Sequence, residues 1–170
     1  MIYKNYLKRA FDIALSATAV SAMAIPIAVT AAFNAVYLRE NPFYLVDRSS
    51  IDRKPFKMIK LKSMRTLTDE SGNLLPDDQR RTSFGKLLRH TGVDELPQFI
   101  NVLKGDMSIV GPRPMGDWDL DHMTEEERAS VLSVRPGLTG PWQVSAIGTL
   151  TTLQEKHERK ASYAREPITF

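Results

Sequence analysis

A chain of 170 residues is long enough for one domain with a substantial hydrophobic core. It contains no cysteine, which excludes disulfide bonds and thiolate metal sites. The net charge of +3 conceals an asymmetry, because residues 1–65 carry 11 Lys/Arg against 4 Asp/Glu, whereas the remainder carries 12 against 16. A basic half that also contains an apolar run favours an anionic membrane surface over nucleic acid as a partner.

The first predicted element is an apolar helix. Residues 13–38 form a run of 26 residues without a charge, and about 20 apolar residues suffice to span a bilayer. Lys4, Lys8 and Arg9 precede the run, and a second basic cluster follows it from Arg39. Positive charge marks the cytoplasmic side of a membrane, so a hairpin that enters and leaves by one face satisfies both flanks.

Pro26 lies in the middle of this run and predicts a kink, because proline removes a backbone donor and clashes with the preceding turn. We therefore expect residues 1–40 to form a re-entrant membrane hairpin (helix, kink, helix) and residues 41–170 to form a cytoplasmic domain. Three alternatives stay open for the run. They are a plain spanning helix, a signal peptide cleaved near the Ala-Met-Ala at 22–24, and a buried core helix.

The following segments predict short strands and helices around a polar loop. Residues 56–64 interleave apolar residues with lysines and predict a strand. Residues 66–81 predict a surface loop, and residues 82–89 predict a short basic helix. Asp94 is a predicted N-cap for a second helix that carries Pro97 in its first turn and ends at Gly105.

The C-terminal third also predicts short strands, helices and turns. Residues 107–110 predict a strand before a Gly-Pro-Arg-Pro loop at 111–114, and Thr124 with Glu127 predicts a capping box for a helix that reaches about Val134. Residues 135–141 contain turn signals, and residues 154–163 predict a last amphipathic helix. The predicted fold class is therefore α+β and mainly helical, with short strands.

The adjacent carboxylates Asp94 and Glu95 are the main candidates for chemistry. At the first turn of a helix both can face its mouth, where free N–H groups favour a phosphate. Two carboxylates there can hold Mg²⁺, or one can attack phosphorus and form an acyl-phosphate. The structural alternative is that Asp94 only caps the helix while Glu95 complements its dipole.

Cationic and aromatic residues extend this candidate site. Arg113 lies between two prolines that fix the backbone, which suits a bidentate contact to phosphate; the alternative is a loop arginine paired with a surface acid. Arg135, before Pro-Gly, is a similar candidate. Trp142 and Gln143 are candidates to bind a base or a sugar, although a packed tryptophan is the alternative. His90 is a candidate proton relay or a plain surface histidine.

Taken in order, the motifs resemble the bacterial sugar transferase family, the monotopic phosphoglycosyl transferases that start glycan assembly on polyprenyl phosphate. The resemblance covers most of the chain, and its block from 94 to 114 is long and ordered. The matching segments are Leu-Lys-Arg-Ala-Phe-Asp at 7–12, Phe-Lys-Met-Ile-Lys-Leu-Lys-Ser-Met at 56–64, Phe-Gly-Lys-Leu-Leu-Arg at 84–89, Asp-Glu-Leu-Pro-Gln at 94–98, Asn-Val-Leu-Lys-Gly-Asp-Met-Ser at 101–108, Val-Gly-Pro-Arg-Pro at 110–114 and Arg-Pro-Gly-Leu-Thr-Gly at 135–140.

The resemblance implies transfer of a sugar-1-phosphate from a UDP-sugar to polyprenyl (undecaprenyl) phosphate with release of UMP, which would initiate exopolysaccharide or glycoconjugate assembly. It implies that Asp94 is the nucleophile of an aspartyl-phosphosugar intermediate and that Glu95 assists with Mg²⁺. The implied substrate-binding residues are Arg113, Lys60, Arg89, Arg135 and, from its place beside Trp142, Gln143.

The same resemblance implies a place in the cell and a set of partners. We expect the bacterial inner membrane, with the catalytic domain at residues 41–170 facing the cytoplasm. The expected partners are a UDP-sugar, polyprenyl phosphate and membrane lipid, with downstream glycosyltransferases as further candidates and no nucleic acid. The sequence does not indicate which sugar is transferred.

Several departures from the family pattern motivate a second hypothesis. Ile25 precedes Pro26 where the family has serine, Ala146-Ile147 stands where the family has Gly-Arg, and Lys160 stands where an acid is expected. The sequence also ends at Phe170, where relatives continue with another amphipathic helix. The alternative function is therefore a catalytically weak or inactive membrane-bound scaffold that binds a nucleotide-sugar.

Overall fold

The structure is a computed structural model and describes residues 2–140, with side chains from residue 6 onward. Gln143 and the helix predicted at 154–163 lie outside these residues. The fold mixes α and β structure and is about half helical, with two small sheets. The elements are α1 (Ile2–Leu38), β1 (Phe43–Ser49), β2 (Pro55–Leu61), α2 (Asp77–Arg80), α3 (Ser83–Thr91), α4 (Gln98–Lys104), β3 (Ser108–Val110), α5 (Asp117–Asp121), α6 (Glu125–Leu132) and β4 (Gly137–Thr139).

Helix α1 continues through Pro26 as one helical element of 37 residues. By length and apolar composition alone, it is capable of crossing a membrane. Its burial is confined to the two ends, where Asp12, Ser16, Asn34 and Leu38 are buried against the rest of the chain. Residues 21–26, around the proline, are exposed.

The N-terminal end of α1 is fastened to α4 and β3 by polar contacts. The buried carboxylate of Asp12 accepts hydrogen bonds from Ser108 Oγ (2.7 Å) and from the backbone N–H of Ile109 (3.1 Å). Arg9 donates to Val102 O (2.7 Å) and to Leu103 O (3.1 Å) at the end of α4, a favourable place for a cation because the C-terminal end of a helix carries partial negative charge.

The C-terminal end of α1 is held by a different part of the same domain. The side-chain amide of Asn34 donates to Lys62 O, and the ring of Phe33 lies 4.7 Å from that of Phe84 on α3. Beyond the helix, Glu40 pairs with the ammonium of Lys62. Desolvation raises the pKa of Glu40, but hydrogen bonds from Lys62 and Thr66 outweigh it and hold that pKa at about 2.

Strands β1 and β2 form an antiparallel ribbon whose one face carries both core and cleft residues. Tyr44 lies opposite Lys60 and Val46 lies opposite Met58, so these four side chains share a face. Helix α4 packs on the ribbon through Asn101, whose amide donates to the carbonyl of residue 57 (2.8 Å) and accepts from the N–H of residue 59 (3.0 Å). The core against this face consists of Phe56, Met58, Val102, Met107 and Ile109, with Val46 beside them.

Strands β3 and β4 pair in parallel beside the 111–114 loop. Two glycines allow the close approach. A Cβ on Gly137 would lie 2.2 Å from Gly111 N, and one on Gly111 would lie 2.4 Å from Arg135 O. The sequence predicted only turns at 135–141 and did not predict β4, because a three-residue strand that pairs with residues 29 positions away leaves no local periodicity.

Several predicted elements are confirmed. Strand β2 falls within the predicted 56–64 segment apart from its first residue, and α3 begins after Thr82, whose Oγ1 accepts from Gly85 N (2.9 Å). Helix α6 has the predicted capping box, with Thr124 and Glu127 bonded to each other's backbone. Strand β1 and helices α2 and α5 were not predicted, and α2 lies within the segment 66–81 that was predicted to be a surface loop.

The predicted helix start at Asp94 is wrong. Asp94 lies inside a 3₁₀ turn, Val93–Glu95, and α4 begins only at Gln98. Pro97 explains the difference, because it has no N–H to bond back to residue 93, and the N–H of Leu96 closes an i→i+3 bond there instead (3.3 Å). The acid pair therefore lies before a seven-residue helix and not in its first turn.

Candidate active site

A basic cleft of about 1030 Å³ opens between the β1–β2 ribbon, α3, the 3₁₀ turn and the 111–114 loop. Among the described residues it is lined by two acids, Asp94 and Glu95, and by seven basic residues. Such an excess of positive charge attracts anions and concentrates them in the cleft. The basic residues are Arg48, Lys60, Lys62, Arg65, Arg80, Arg89 and Arg113.

Asp94 and Glu95 differ in environment although they are neighbours in the chain. Asp94 is buried, whereas Glu95 is partly exposed and binds the ammonium of Lys60 at 2.6 Å. Burial raises the pKa of Asp94, the charge of Glu95 raises it further, and the charges of Lys60 and Arg89 lower it in part. Asp94 is thus a desolvated and more basic carboxylate, which strengthens it as a nucleophile once ionised.

The two cations that act on Asp94 come from different elements. Lys60 extends from β2, opposite Tyr44 on β1. Arg89 extends from the last turn of α3, and its Nε donates to Ser63 Oγ at 2.8 Å. Because both elements pack beside the 3₁₀ turn, the fold brings together three residues that lie up to 34 positions apart, counted from Lys60 to Asp94.

Arg113 lines the cleft from the proline-flanked loop. The residue as a whole is exposed, but the protein atoms around its guanidinium desolvate the charged group and lower its pKa. The positive charge of Arg48 lowers this pKa further. Asp119 and Glu95 offset part of this effect. Arg113 and Arg48 are therefore two cations close enough to repel each other, an arrangement that an anion bound between them would relieve.

The remaining predicted site residues differ in where the structure places them. Arg135 donates its Nε to Gly105 O at 2.9 Å and is not among the cleft residues. Gln143 lies outside the described residues. His90 does line the cleft, at the exposed C-terminal end of α3.

Sequence reasoning missed three donors that the structure places along this cleft. They are the Nε of Arg48, the Nε of Arg80 and the Nε2 of Gln98, each buried without a hydrogen-bond partner in the part of the chain described. A buried donor without a partner is rare and costly. No motif signals this deficit, because it appears only once the packing is known.

Asp94 and Glu95 fit a magnesium ion on the chemistry of their donors. Mg²⁺ prefers carboxylate oxygens and usually completes its coordination with waters and substrate phosphates. Residues 6–140 contain no cluster of three or more His, Asp or Glu that would form a complete protein cage. A bound divalent cation would also relieve the repulsion and desolvation that raise the pKa of Asp94.

A family model described as bacterial sugar transferase matches residues 3–169. This chain belongs to the bacterial sugar transferase family. Its match extends from the start of α1 past β4, so the apolar helix and the cleft both lie within the matched region. Among curated proteins, this family member is 38% identical over 145 residues to "Uncharacterized sugar transferase EpsL" of Bacillus subtilis (strain 168), covering 85% of this chain and 71% of that protein.

Two further relatives carry names that specify a reaction. The chain is 35% identical over 167 residues to "UDP-glucose:undecaprenyl-phosphate glucose-1-phosphate transferase" of Escherichia coli (strain K12), covering 95% of this chain and 36% of that protein. It is 48% identical over 71 residues to "Undecaprenyl-phosphate galactose phosphotransferase" of Salmonella typhimurium, covering 42% of this chain and 15% of that protein. The chain thus spans about a third or less of these two relatives.

Proposed function

We propose that this bacterial sugar transferase moves a sugar-1-phosphate from a UDP-sugar to undecaprenyl phosphate and releases UMP. The observation that carries the proposal is the buried Asp94 carboxylate in a cleft whose charged residues are predominantly basic. Such a site suits an anionic diphosphate substrate and a carboxylate nucleophile. The relatives named for glucose and galactose transfer support the reaction class and leave the sugar open.

In the proposed first step, a carboxylate oxygen of Asp94 attacks the phosphorus that carries the sugar. The new O–P bond forms as the bond from this phosphorus to the bridging oxygen breaks, and the bonding pair leaves with UMP. Lys60, Arg89 and Arg113 line the cleft around the attacking carboxylate and would stabilise the charge that spreads over the phosphoryl oxygens. The product is a phosphosugar linked to Asp94 as an acyl-phosphate.

In the proposed second step, an oxygen of undecaprenyl phosphate attacks the same phosphorus. The bond between phosphorus and Asp94 breaks, the carboxylate is regenerated, and the product is a lipid-linked diphosphate sugar. Asp94 and Glu95 would hold Mg²⁺, which when bound supplies charge neutralisation to the diphosphate. The Lys60–Glu95 ion pair (2.6 Å) holds the second carboxylate beside the first.

The contacts of α1 support a re-entrant topology for the proposed enzyme. A straight helix that crossed a hydrocarbon core of about 30 Å would hold its two ends on opposite sides of the membrane. Asp12 and Asn34, 22 residues apart, both bind the same domain. This arrangement favours a helix that dips into one leaflet of the inner membrane, with the domain on the cytoplasmic face.

Cysteines placed at residues 2 and 45 should then react with an impermeant reagent from the same side, and opposite-side labelling would refute the topology.

A rate measurement tests the proposed reaction. The full chain in detergent micelles or nanodiscs is incubated with undecaprenyl phosphate, Mg²⁺ and a panel of UDP-sugars, and UMP release is followed. We expect release with one or a few sugars and loss of release in Asp94→Asn. Binding of a UDP-sugar without UMP release would instead favour the scaffold alternative, and release that persists in Asp94→Asn would refute the role of Asp94.

A further inference from the structure

Helix α4 carries two buried side-chain amides that are used differently. Asn101 is fully buried, and its amide bonds to the backbone of β2 on both its donor and its acceptor side. Gln98 is 2% exposed and lines the cleft, four residues after Asp94, yet its Nε2 has no partner among residues 6–140. Asn101 therefore has an evident structural role, whereas the amide donor of Gln98 has none in the described part of the chain.

Arg48 presents the same deficit on the opposite wall of the cleft. It extends from β1 on the ribbon face that also carries Lys60. One terminal nitrogen donates to Asp47 O at 2.8 Å, but its Nε is buried without a partner among the described residues. Its guanidinium lies close enough to Arg113 for the two charges to interact. Two neighbouring guanidiniums suit bidentate contacts to the oxygens of a phosphate.

We propose that Gln98 and Arg48 are two further substrate-binding residues, which donate hydrogen bonds to phosphoryl oxygens of the diphosphate bound between Asp94 and Arg113. The inference rests on the proposed function and deepens it. Gln98 lies nearest in the chain to the nucleophile and binds the phosphoryl group that is transferred. Arg48 lies beside Arg113 and shares with it the phosphoryl group that leaves with the nucleotide.

The effect of a substitution on the stability of the ligand-free protein distinguishes an unpaired donor from a donor with a structural role. A buried donor without a partner destabilises the ligand-free protein, so its replacement by an apolar side chain of similar shape is neutral or stabilising. A donor that holds the fold together behaves in the opposite way. A residue that weakens the free protein and strengthens the complex is typical of a binding site.

The test combines thermal unfolding with kinetics on the full chain. Gln98→Met and Arg48→Met remove the donors and keep much of the side-chain bulk. Lys57→Met, an exposed lysine on the same ribbon, is the matched neutral control. Asn101→Leu serves as the control for a structural amide. Each variant is unfolded with and without inorganic diphosphate and Mg²⁺, and kcat and KM for UMP release are measured separately.

We expect Gln98→Met and Arg48→Met to unfold at or above the wild-type temperature without diphosphate and to lose most of the stabilisation that diphosphate confers. Their kcat/KM should fall about tenfold or more, the usual effect of losing a hydrogen bond to a charged group. Lys57→Met should keep both properties. Asn101→Leu should unfold at a lower temperature without ligand, because it leaves two backbone groups of β2 without partners.

Two results would overturn the inference: lower unfolding temperatures for the ligand-free Gln98→Met and Arg48→Met proteins, or retention of the full diphosphate effect in both. A wild-type protein that diphosphate does not stabilise would overturn it too. The proposed function fails separately. A wild type that diphosphate stabilises but that releases no UMP from any UDP-sugar refutes the transferase and keeps the subsite, whereas turnover with unaffected variants refutes only the subsite.

Discussion

Gly85 is the position at which the smallest change should disturb the cleft most. It lies in the first turn of α3, buried against the chain segment that follows β2. A Cβ at this position would lie 1.8 Å from Ser63 O and 2.7 Å from Ser63 C, both backbone atoms. Because the segment cannot yield as a flexible side chain would, Gly85→Ala must move α3 away from Ser63.

The size of the displacement follows from these distances. Real Cβ atoms essentially never approach a heavy atom closer than 3.0 Å, so the 1.8 Å contact must open by about 1.2 Å. Overpacking of this kind costs about 1–3 kcal/mol, and the better helix propensity of alanine returns only about 1 kcal/mol. Arg89, one turn along the same helix, moves with it and loses its 2.8 Å bond to Ser63.

Misplacing a binding group by 1 Å can cost about a hundredfold in rate. We therefore expect Gly85→Ala to lower the unfolding temperature by a few degrees, at about 2–4 °C per kcal/mol, and to reduce the kcat of UMP release between tenfold and a hundredfold. Ser83→Ala, an exposed change in the same helix, is the control and should leave both values unchanged. Wild-type stability and rate in Gly85→Ala would refute the close packing of α3 on Ser63.

Three further changes test other parts of the site. Asp94 must be ionised to attack, so a change in its pKa should move the acidic limb of the kcat/KM profile. Lys60→Met removes a charge that lowers the pKa of Asp94 and should move this limb to higher pH, whereas Glu95→Gln removes a charge that raises that pKa and should move the limb to lower pH. Shifts in the same direction for both variants would contradict this. Chelation with EDTA should abolish UMP release and added Mg²⁺ should restore it, and an unchanged rate in EDTA would exclude the metal. Asp12→Ala leaves the donors of Ser108 and the neighbouring N–H without an acceptor and should lower the free energy of unfolding by about 2–3 kcal/mol; an unchanged unfolding temperature would show that these bonds do not fasten α1.

The elements that the sequence predicted well are those with local signals. Thr124 with Glu127 forms a cap that acts within three residues, and α6 begins where this capping box predicted. The short basic helix predicted from residue 82 is also present, and its first turn is capped by Thr82. Strand β1 escaped prediction because its apolar residues, 43–46, are consecutive, so its sequence lacks the alternation of a half-buried strand. Strand β4 escaped because its pairing with β3 depends on close approach of two glycines rather than on local periodicity.

In the candidate site, the sequence indicated which residue types carry the chemistry better than it indicated where each residue lies. The motifs identified Asp94, Glu95 and Arg113 by their chemistry, and the fold gathers all three at one cleft. Arg135 shares that chemistry, but the structure uses its Nε on the carbonyl of a helix C-terminus. Arg48 could not be found from sequence, because its place at the cleft depends on the register between β1 and β2.

The central claim is that Asp94 becomes covalently linked to the phosphosugar. The most direct measurement is the intact mass of the protein after incubation with the active UDP-sugar and Mg²⁺ in the absence of undecaprenyl phosphate. We predict an added mass of one sugar-phosphate, located on the peptide that contains Asp94, absent from Asp94→Asn and discharged when undecaprenyl phosphate is added. UMP release with no adduct under rapid quenching, or an adduct on another residue, would contradict the account.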